Sequence, residues 1–158
     1  MAPLRNARLR PATAILLGGL CMGTIDILDA FIFSALRSGA SPARVLQGIA
    51  GGFYGRATFE GGPRTAIIGG LVHYTIAFSV VGACVLASRR IPFLVRRPLL
   101  AGALYGLCVL AFMNLVVLPL SAIGLPRWPW SVAVNQVAIH IVGVGMVSAL
   151  FARATHPR

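Results

Sequence analysis

The sequence has almost no acidic residues and no lysine. Against fourteen arginines, its 158 residues hold only three acids, Asp26, Asp29 and Glu60. Charged residues make up 11% of the chain and hydrophobic residues 58%, which leaves too little polar surface to cover a water-soluble domain. This scarcity of charge excludes a soluble globular protein and predicts an integral membrane protein.

Cysteine and catalytic motifs are also scarce. Cys21, Cys84 and Cys108 lie far apart inside apolar runs, so we predict neither a disulfide framework nor a cysteine metal site. Aromatic residues do not alternate with the arginines as they do in a strand-binding groove, so we predict no nucleic-acid partner. The chain lacks a phosphate-binding glycine loop, and no serine or cysteine is recognisably paired with a base. The sequence therefore predicts a protein that is not an enzyme.

Four apolar segments are long enough to cross a bilayer, whose hydrocarbon core is about 30 Å thick, at a rise of ~1.5 Å per residue. The predicted spans are residues 12–36, 65–88, 98–120 and 131–152. The first span follows Arg5, Arg8 and Arg10, as in a signal peptide. Its apolar run is too long for one, so we expect it to stay attached. The sequence predicts an all-α membrane protein that forms a single integral membrane domain over residues 1–158.

A shorter helix is predicted between the first and second spans, over about residues 42–58. Ser41 followed by Pro42 is typical of a helix start. Its four glycines are Gly48, Gly51, Gly52 and Gly55. Because glycine is unfavourable inside a helix, this many of them indicate a close approach by another backbone. We predict a glycine-rich re-entrant or amphipathic helix on the outer side of the membrane.

The placement of the arginines predicts an orientation. With both termini on one side, that side carries nine arginines: Arg5, Arg8, Arg10, Arg89, Arg90, Arg96, Arg97, Arg153 and Arg158. The other side carries five: Arg37, Arg44, Arg56, Arg64 and Arg127. The positive-inside rule then predicts a bacterial inner-membrane protein whose N- and C-termini are cytoplasmic.

Two of the three acids lie in the middle of the first span. Asp26 and Asp29 are three residues apart and share a helix face. Gly19, Gly23 and Asp26 follow one ridge of the helix. A carboxylate near the bilayer centre costs roughly 2.5–3.5 kcal/mol on insertion scales, so intramembrane acids are functional candidates. Small residues along a ridge let another helix approach closely. We therefore expect both acids to point into the helix bundle.

Polar side chains from all four spans share one depth. Counted from the outer end of each span at ~1.5 Å per residue, five of them lie roughly 9–15 Å below the surface. They are Asp26, Asp29, His73, Asn114 and His140. In a low dielectric, ionising both the Asp26 and the Asp29 carboxyl groups costs free energy because the two negative charges repel. Imidazoles exchange protons near neutral pH. We predict a proton or cation site, for which Gln47, Glu60 and the glycine-rich helix form a lid.

Two other interpretations use the same layer. In the first, the protein is a non-catalytic structural or accessory subunit, and the hydrogen bonds of these polar residues only hold its helices together. The glycine-rich helix then docks a partner. Asn135 and Gln136 are assigned to such helix packing. In the second, the acids and histidines hold a divalent metal, or His73 and His140 bind a haem. No local ligand spacing supports a metal, so we predict no metal and no cofactor. Because four short helices enclose little space, we also expect a homo-oligomer or a membrane partner subunit within the lipid bilayer.

The chain resembles a group of small bacterial inner-membrane proteins of uncharacterised function. The matching features are the run RVLQGIAGG at residues 44–52, Gly61 and Gly62, His73, Asn114 with the Pro-Leu-Ser run at residues 119–121, and His140 with Gly143. More distantly, it is similar to the YagU family, whose function is unknown and which is linked to acid resistance. The resemblance implies a role in proton or envelope-stress physiology and assigns no role to any residue.

Overall fold

The computed structural model of the protein describes residues 8–124 and 129–157, and within them the chain is helical without any strand. The longer helices are α1 (Pro11–Ser38), α2 (Pro42–Tyr54), α3 (Gly62–Ser88), α4 (Pro98–Val117) and α5 (Trp130–Arg153), and a single helical turn at Phe93–Arg96 lies between α3 and α4. Of the helices α1 to α5, all except α2 are long and apolar enough to cross a membrane. This confirms the predicted fold class, an all-α protein with four transmembrane helices. The re-entrant or amphipathic placement of α2 stays a prediction, and three of the arginines counted for orientation, Arg5, Arg127 and Arg158, lie outside the described residues.

Prolines and capping residues set where the helices begin and end. A proline occupies the first turn of α1, α2, α3 and α4, where its missing N–H is not needed. At the start of α2, the hydroxyl of Ser41 accepts a hydrogen bond from the backbone N–H of Arg44 at 3.3 Å. Helix α1 ends at Ser38 and is capped by Gly39, which has a left-handed φ of 67° and donates its N–H to the Ala35 carbonyl. Helix α2 therefore begins at the residue that the sequence predicted, and α1 ends two residues beyond residue 36, the predicted end of the first span.

The α-helical part of the short helix ends earlier than predicted. Helix α2 stops at Tyr54, and Gly55–Glu60 form a 3₁₀ helix in place of an α-helix extending to Thr58. Gly55 has a φ of +57°, which residues with a side chain rarely adopt, so the α-helix does not continue through it. We call residues 42–60, which comprise α2 and this 3₁₀ helix, the cap segment.

Buried side-chain hydrogen bonds fix the cap segment. Thr58 is fully buried, and its Oγ1 donates to the carbonyl of Gln47 at 2.9 Å. Thr65, in the first turn of α3, donates to the carbonyl of Thr58 at 2.7 Å. The side-chain amide of Gln47 donates to the carbonyl of Gly62 at 3.0 Å. The last two bonds tie the cap segment to the start of α3.

Replacing Thr58 with valine should loosen the cap segment at nearly constant side-chain volume. Valine cannot donate to the Gln47 carbonyl, and the loss of one hydrogen bond costs about 0.5–1.5 kcal/mol. We expect a lower melting temperature in detergent. The control is Thr75→Val, because the Thr75 hydroxyl bonds only the Leu71 carbonyl of its own helix on an exposed surface. Equal melting temperatures for the two variants would contradict this role of Thr58.

The half of the bundle next to the chain termini is closely packed. The N–H of Leu9 donates to the carbonyl of Ala154 at 3.0 Å, so the two described ends of the chain lie side by side. Small side chains from α1, α3, α4 and α5 form a continuous apolar cluster there. Its fully buried members include Ala14, Val81, Cys84, Val85, Ala149 and Ala152. We call this half the termini end and the opposite half, which carries the cap segment, the cap end.

The glycine ridge of α1 packs closely against another helix, as the sequence predicted, and the structure identifies that helix as α3. A Cβ atom at Gly23 would lie 2.9 Å from the Cβ of Ala77, and one at Gly19 would collide with the Phe78 ring. Because neither glycine has a side chain, the backbones of α1 and α3 approach closely. This contact brings Asp26, one turn beyond Gly23, next to α3.

Helices α4 and α5 cross with their backbones in contact. A Cβ atom at Gly106 would collide with the carbonyl oxygen of His140, and one at Gly145 would collide with that of Gly102. At this crossing α5 contains a π-helical segment, His140–Met146. Gly102 and Gly106 therefore serve helix packing, and the π-helical segment was not predicted from the sequence.

Candidate polar site in the membrane domain

A cavity of about 1140 Å³ occupies the cap end of the bundle. Its walls come from the C-terminal half of α1, the N-terminal half of α3, the C-terminal part of α4 and the first half of α5. Helix α2 lines the end of the cavity that is farthest from the chain termini, which we call its outer end. All five predicted site residues line it: Asp26, Asp29, His73, Asn114 and His140. The structure thus places polar side chains from four helices around one space, and their role in binding protons or cations stays a prediction.

His73 links α3 to α1 at the polar end of the cavity. Its Nε2 lies 2.8 Å from the carbonyl oxygen of Gly23, and because a carbonyl only accepts, Nε2 carries the hydrogen and donates it. The other ring nitrogen, Nδ1, lies 4.0 Å from Oδ2 of Asp26. The bond to Gly23 therefore fixes a hydrogen on Nε2, and Nδ1 faces the carboxylate.

His140 is held in a similar way on α5. Its Nδ1 donates to the carbonyl of Gln136 at 2.9 Å, which leaves Nε2 as the nitrogen that exchanges a proton. His140 begins the π-helical segment and lies close enough to Asp26 for a direct electrostatic interaction. Such π-helical segments inside α-helices are frequent at functional sites.

Asp29 is joined to α5 by an amide. The Nδ2 of Asn135 donates to Oδ2 of Asp29 at 2.7 Å. The sequence assigned Asn135 to helix packing without identifying its partner, a site carboxylate. The available signal was chemical, since a side-chain amide in an apolar span seeks a hydrogen-bonding partner on a neighbouring helix.

Asn114 reaches the cavity from the π-helical segment Met113–Val117 of α4. Its Nδ2 donates to the carbonyl of Leu110, one turn earlier in the same helix, at 2.9 Å. Both π-helical segments of the described chain therefore carry a predicted site residue, because the other one begins at His140.

The two predicted lid residues do not line the cavity. Gln47 is buried between α2 and the start of α3, and Glu60 is exposed at the end of the cap segment. The residues of α2 that line the cavity include Val45, Gly48, Ile49 and Gly52. The four glycines of the cap segment were expected to meet another backbone, but Gly51 contacts the side chain of Ile123, and a Cβ atom at Gly48 would have no neighbour within 4 Å. Gly48 instead leaves room in the cavity.

Arginines that were not predicted as site residues lie at the outer end of the cavity. Arg37, near the end of α1, and Arg44, in α2, both line it. The guanidinium of Arg44 lies over the ring of Phe59, 3.9 Å from its centroid. The outer end is therefore positively charged, while the two carboxylates lie deeper.

The space between α3 and α4 is also part of the cavity. Helix α4 packs mainly on α5, and Tyr105 reaches across to α3, where its Oη donates to the carbonyl of Val80 at 2.7 Å. Farther toward the cap end, the residues of these helices that line the cavity include Val72, Ile76, Val109 and Met113. It extends to Leu71 and Thr75, which are exposed on the surface of α3. The cavity is therefore open sideways, between α3 and α4.

The histidine geometry bears on the metal and haem interpretations. In the part of the chain that the structure describes, no group of three or more His, Cys, Asp or Glu side chains is arranged to hold a metal ion. His73 uses one nitrogen to bond Gly23 and turns the other toward Asp26. A haem iron at His73 would have to displace one of these two contacts.

These features define a class: the protein is a multi-pass α-helical membrane protein with polar side chains in a large, partly open cavity. Comparison of the chain with models of known protein families, with curated proteins and with solved structures finds no match. The resemblance to small inner-membrane proteins and to the YagU family stays a prediction.

Proposed function

We propose that the protein takes up protons or cations through the layer formed by Asp26, Asp29, His73 and His140. The observation that carries the proposal is the orientation of His73, whose Nδ1 faces Oδ2 of Asp26 at 4.0 Å. At this distance the two groups interact electrostatically without a direct hydrogen bond, so the carboxylate stabilises a proton on Nδ1. The pair is therefore suited to hold a proton and to release it.

The surroundings of the pair support the same function. His140 provides a second exchangeable nitrogen near Asp26, on a different helix. Asp29, held by Asn135, adds a second carboxylate. Because charges interact strongly in a low dielectric, two carboxylates in one cavity favour the uptake of positive charge. The apolar cluster at the termini end closes the opposite side, so we infer that uptake occurs from the cap end.

We also propose that the protein lies in the inner membrane of a bacterium with both termini in the cytoplasm. The excess of arginines on the predicted cytoplasmic side and the contact between Leu9 and Ala154 support this orientation. The cavity would then take up protons from the periplasm, which suits a role in acid or envelope stress. We expect the protein to work as a homo-oligomer or with a membrane partner subunit.

A structural role is the second candidate. The bonds from Asn135 to Asp29 and from His73 to Gly23 join α1 to α5 and α3, which a purely structural polar layer would also do. The two candidates differ in whether the carboxylates must be able to ionise.

Proton flux driven by a pH gradient, measured in liposomes containing the purified protein, tests the proposal. The wild type should conduct above empty liposomes, and the Asp26→Asn/Asp29→Asn variant should lose at least roughly tenfold of that flux while remaining folded, because asparagine cannot carry a proton. The matched control is Glu60→Gln, which neutralises the third acid outside the cavity and should leave flux unchanged. Equal flux in the wild type and the folded double variant, or no flux in the wild type, would overturn the proposal.

A further inference from the structure

We propose that the cavity binds an organic cation with an apolar body, whose positive charge replaces a proton at the Asp26 and Asp29 carboxylates. This inference rests on the proposed function and names the class of cation. It follows from the size of the cavity, the chemistry of its walls and the distribution of charge along it.

The size and lining of the cavity do not suit a bare inorganic ion. At about 1140 Å³ the cavity is slightly larger than typical small-molecule sites, which measure about 300–1000 Å³. Hard cations such as Ca²⁺ need about six to eight oxygen ligands at short distance, and no metal-binding group is present among the described residues. The walls are instead mostly aliphatic and aromatic side chains. A large apolar body with one positive charge matches such a lining.

Aromatic rings in the wall favour a cation over a neutral molecule. Phe33, Phe53 and Phe59 all line the cavity. The ring face of Phe59 already carries the delocalised charge of Arg44, with the guanidinium carbon 3.9 Å from the ring centroid. Ring faces attract cations electrostatically, and the attraction is stronger where water is excluded. The rings of Phe33 and Phe53 add the same kind of surface to the wall.

The charges along the cavity indicate the route of entry. Arg37 and Arg44 line the outer end, where they repel a cation that approaches from water. The sideways opening between α3 and α4 carries the apolar Leu71 and the hydroxyl of Thr75. A cation with an apolar body partitions into the bilayer and can therefore enter between these helices. Tyr105 marks the limit of this opening toward the termini end.

Binding of the cation is coupled to protons through the groups that share the cavity with Asp26. The titratable and charged ones are Asp29 and Arg37 on α1, Arg44 on α2, His73 on α3 and His140 on α5, while α4 contributes the uncharged Asn114. A bound positive charge stabilises ionised carboxylates, so a proton held by the layer is released when the cation enters. The exchange of one proton for one monovalent cation leaves the charge of the cavity unchanged.

Tetraphenylphosphonium and tetraphenylborate test the proposal, because they have nearly the same shape and opposite charge. We would titrate each into the purified full-length protein in a non-ionic detergent and measure heat and, in weak buffer, released protons. Tetraphenylphosphonium should bind roughly tenfold tighter or more than tetraphenylborate, a difference of about 1.4 kcal/mol, and release about one proton per bound cation. The Asp26→Asn/Asp29→Asn variant should lose roughly tenfold in affinity and the proton release, whereas Glu60→Gln should keep both.

A second variant tests the location without touching the acids. Gly48→Phe projects a ring from α2 into the empty part of the cavity, since no atom lies within 4 Å of the added Cβ position. It should weaken tetraphenylphosphonium binding by roughly tenfold. The control is Leu104→Phe, at a half-exposed position of α4 that does not line the cavity.

The outcomes separate this inference from the proposed function. Tighter binding of tetraphenylborate would mean that the arginines dominate the site, and it would overturn the inference. So would unchanged cation binding in the folded double variant. If the wild-type protein conducts protons but does not bind tetraphenylphosphonium, the proposed function is supported and the inference of an organic cation is overturned. Cation binding with proton release, without proton flux, would support the inference and remove conduction.

Discussion

Replacing Gly106 with alanine should strongly destabilise the protein. The added Cβ atom would collide with the carbonyl oxygen of His140, which belongs to the backbone of α5 and cannot rotate away as a side chain would. Overpacking a core usually costs about 1–3 kcal/mol, and we expect this substitution at or above the upper end of that range. The measurement is thermal unfolding of the purified protein in detergent, followed by loss of helical circular dichroism.

The same substitution at Gly82 provides the control. Gly82 lies in α3, where an added Cβ atom would meet only the Ile15 side chain, at 3.9 Å. Because alanine is favoured over glycine inside a helix by up to about 1 kcal/mol, Gly82→Ala should be neutral or stabilising. Similar melting temperatures for Gly106→Ala and Gly82→Ala would show that α4 and α5 do not cross with their backbones in contact.

This crossing also affects the polar site. His140 supplies the carbonyl that touches Gly106 and the imidazole that interacts with Asp26. A change that separates α4 from α5 therefore moves one of the exchangeable nitrogens. The packing of Gly106 and the position of the His140 imidazole in the cavity therefore depend on the same contact between α4 and α5.

The boundaries of the helices were largely predictable because they depend on local chemistry. Ser41 and Pro42 begin α2, and Gly39 ends α1, through bonds and dihedral angles within a few residues of sequence. The common depth of the five polar residues was also predictable, since the rise per residue fixes depth once a helix end is known. The structure places all five around one cavity.

The remaining features depend on contacts between distant residues. The π-helical segments redirect Asn114 and His140, and the regular 3.6-residue pattern used to assign faces does not reveal them. The face of α2 that meets the cavity is set by its packing on α3, where a Cβ atom at Gly69 would collide with the Leu46 carbonyl. That contact turns Gln47 away from the cavity and Gly48 toward it. Such pairings are fixed by tertiary packing, so sequence spacing identified the polar residues but not their partners.

Replacing His73 with glutamine should separate structure from proton handling. The side-chain amide of glutamine can donate to the Gly23 carbonyl as Nε2 of His73 does, but it cannot take up a proton. We expect a melting temperature near that of the wild type and a loss of proton flux of at least roughly tenfold, as for the removal of other proton-transfer groups. The measurement is the same pH-gradient assay in liposomes, with protein incorporation checked in each preparation.

His73→Ala is the companion variant, because it removes the bond to Gly23 as well as the exchangeable nitrogen. It should lose flux and also stability, by about 0.5–1.5 kcal/mol for the missing hydrogen bond and more for the space left behind. If the glutamine variant conducts protons as well as the wild type, the imidazole serves only to join α3 to α1. That result would favour a structural role for His73. If it is as stable as the wild type and does not conduct, the exchangeable nitrogen that faces Asp26 is required for flux.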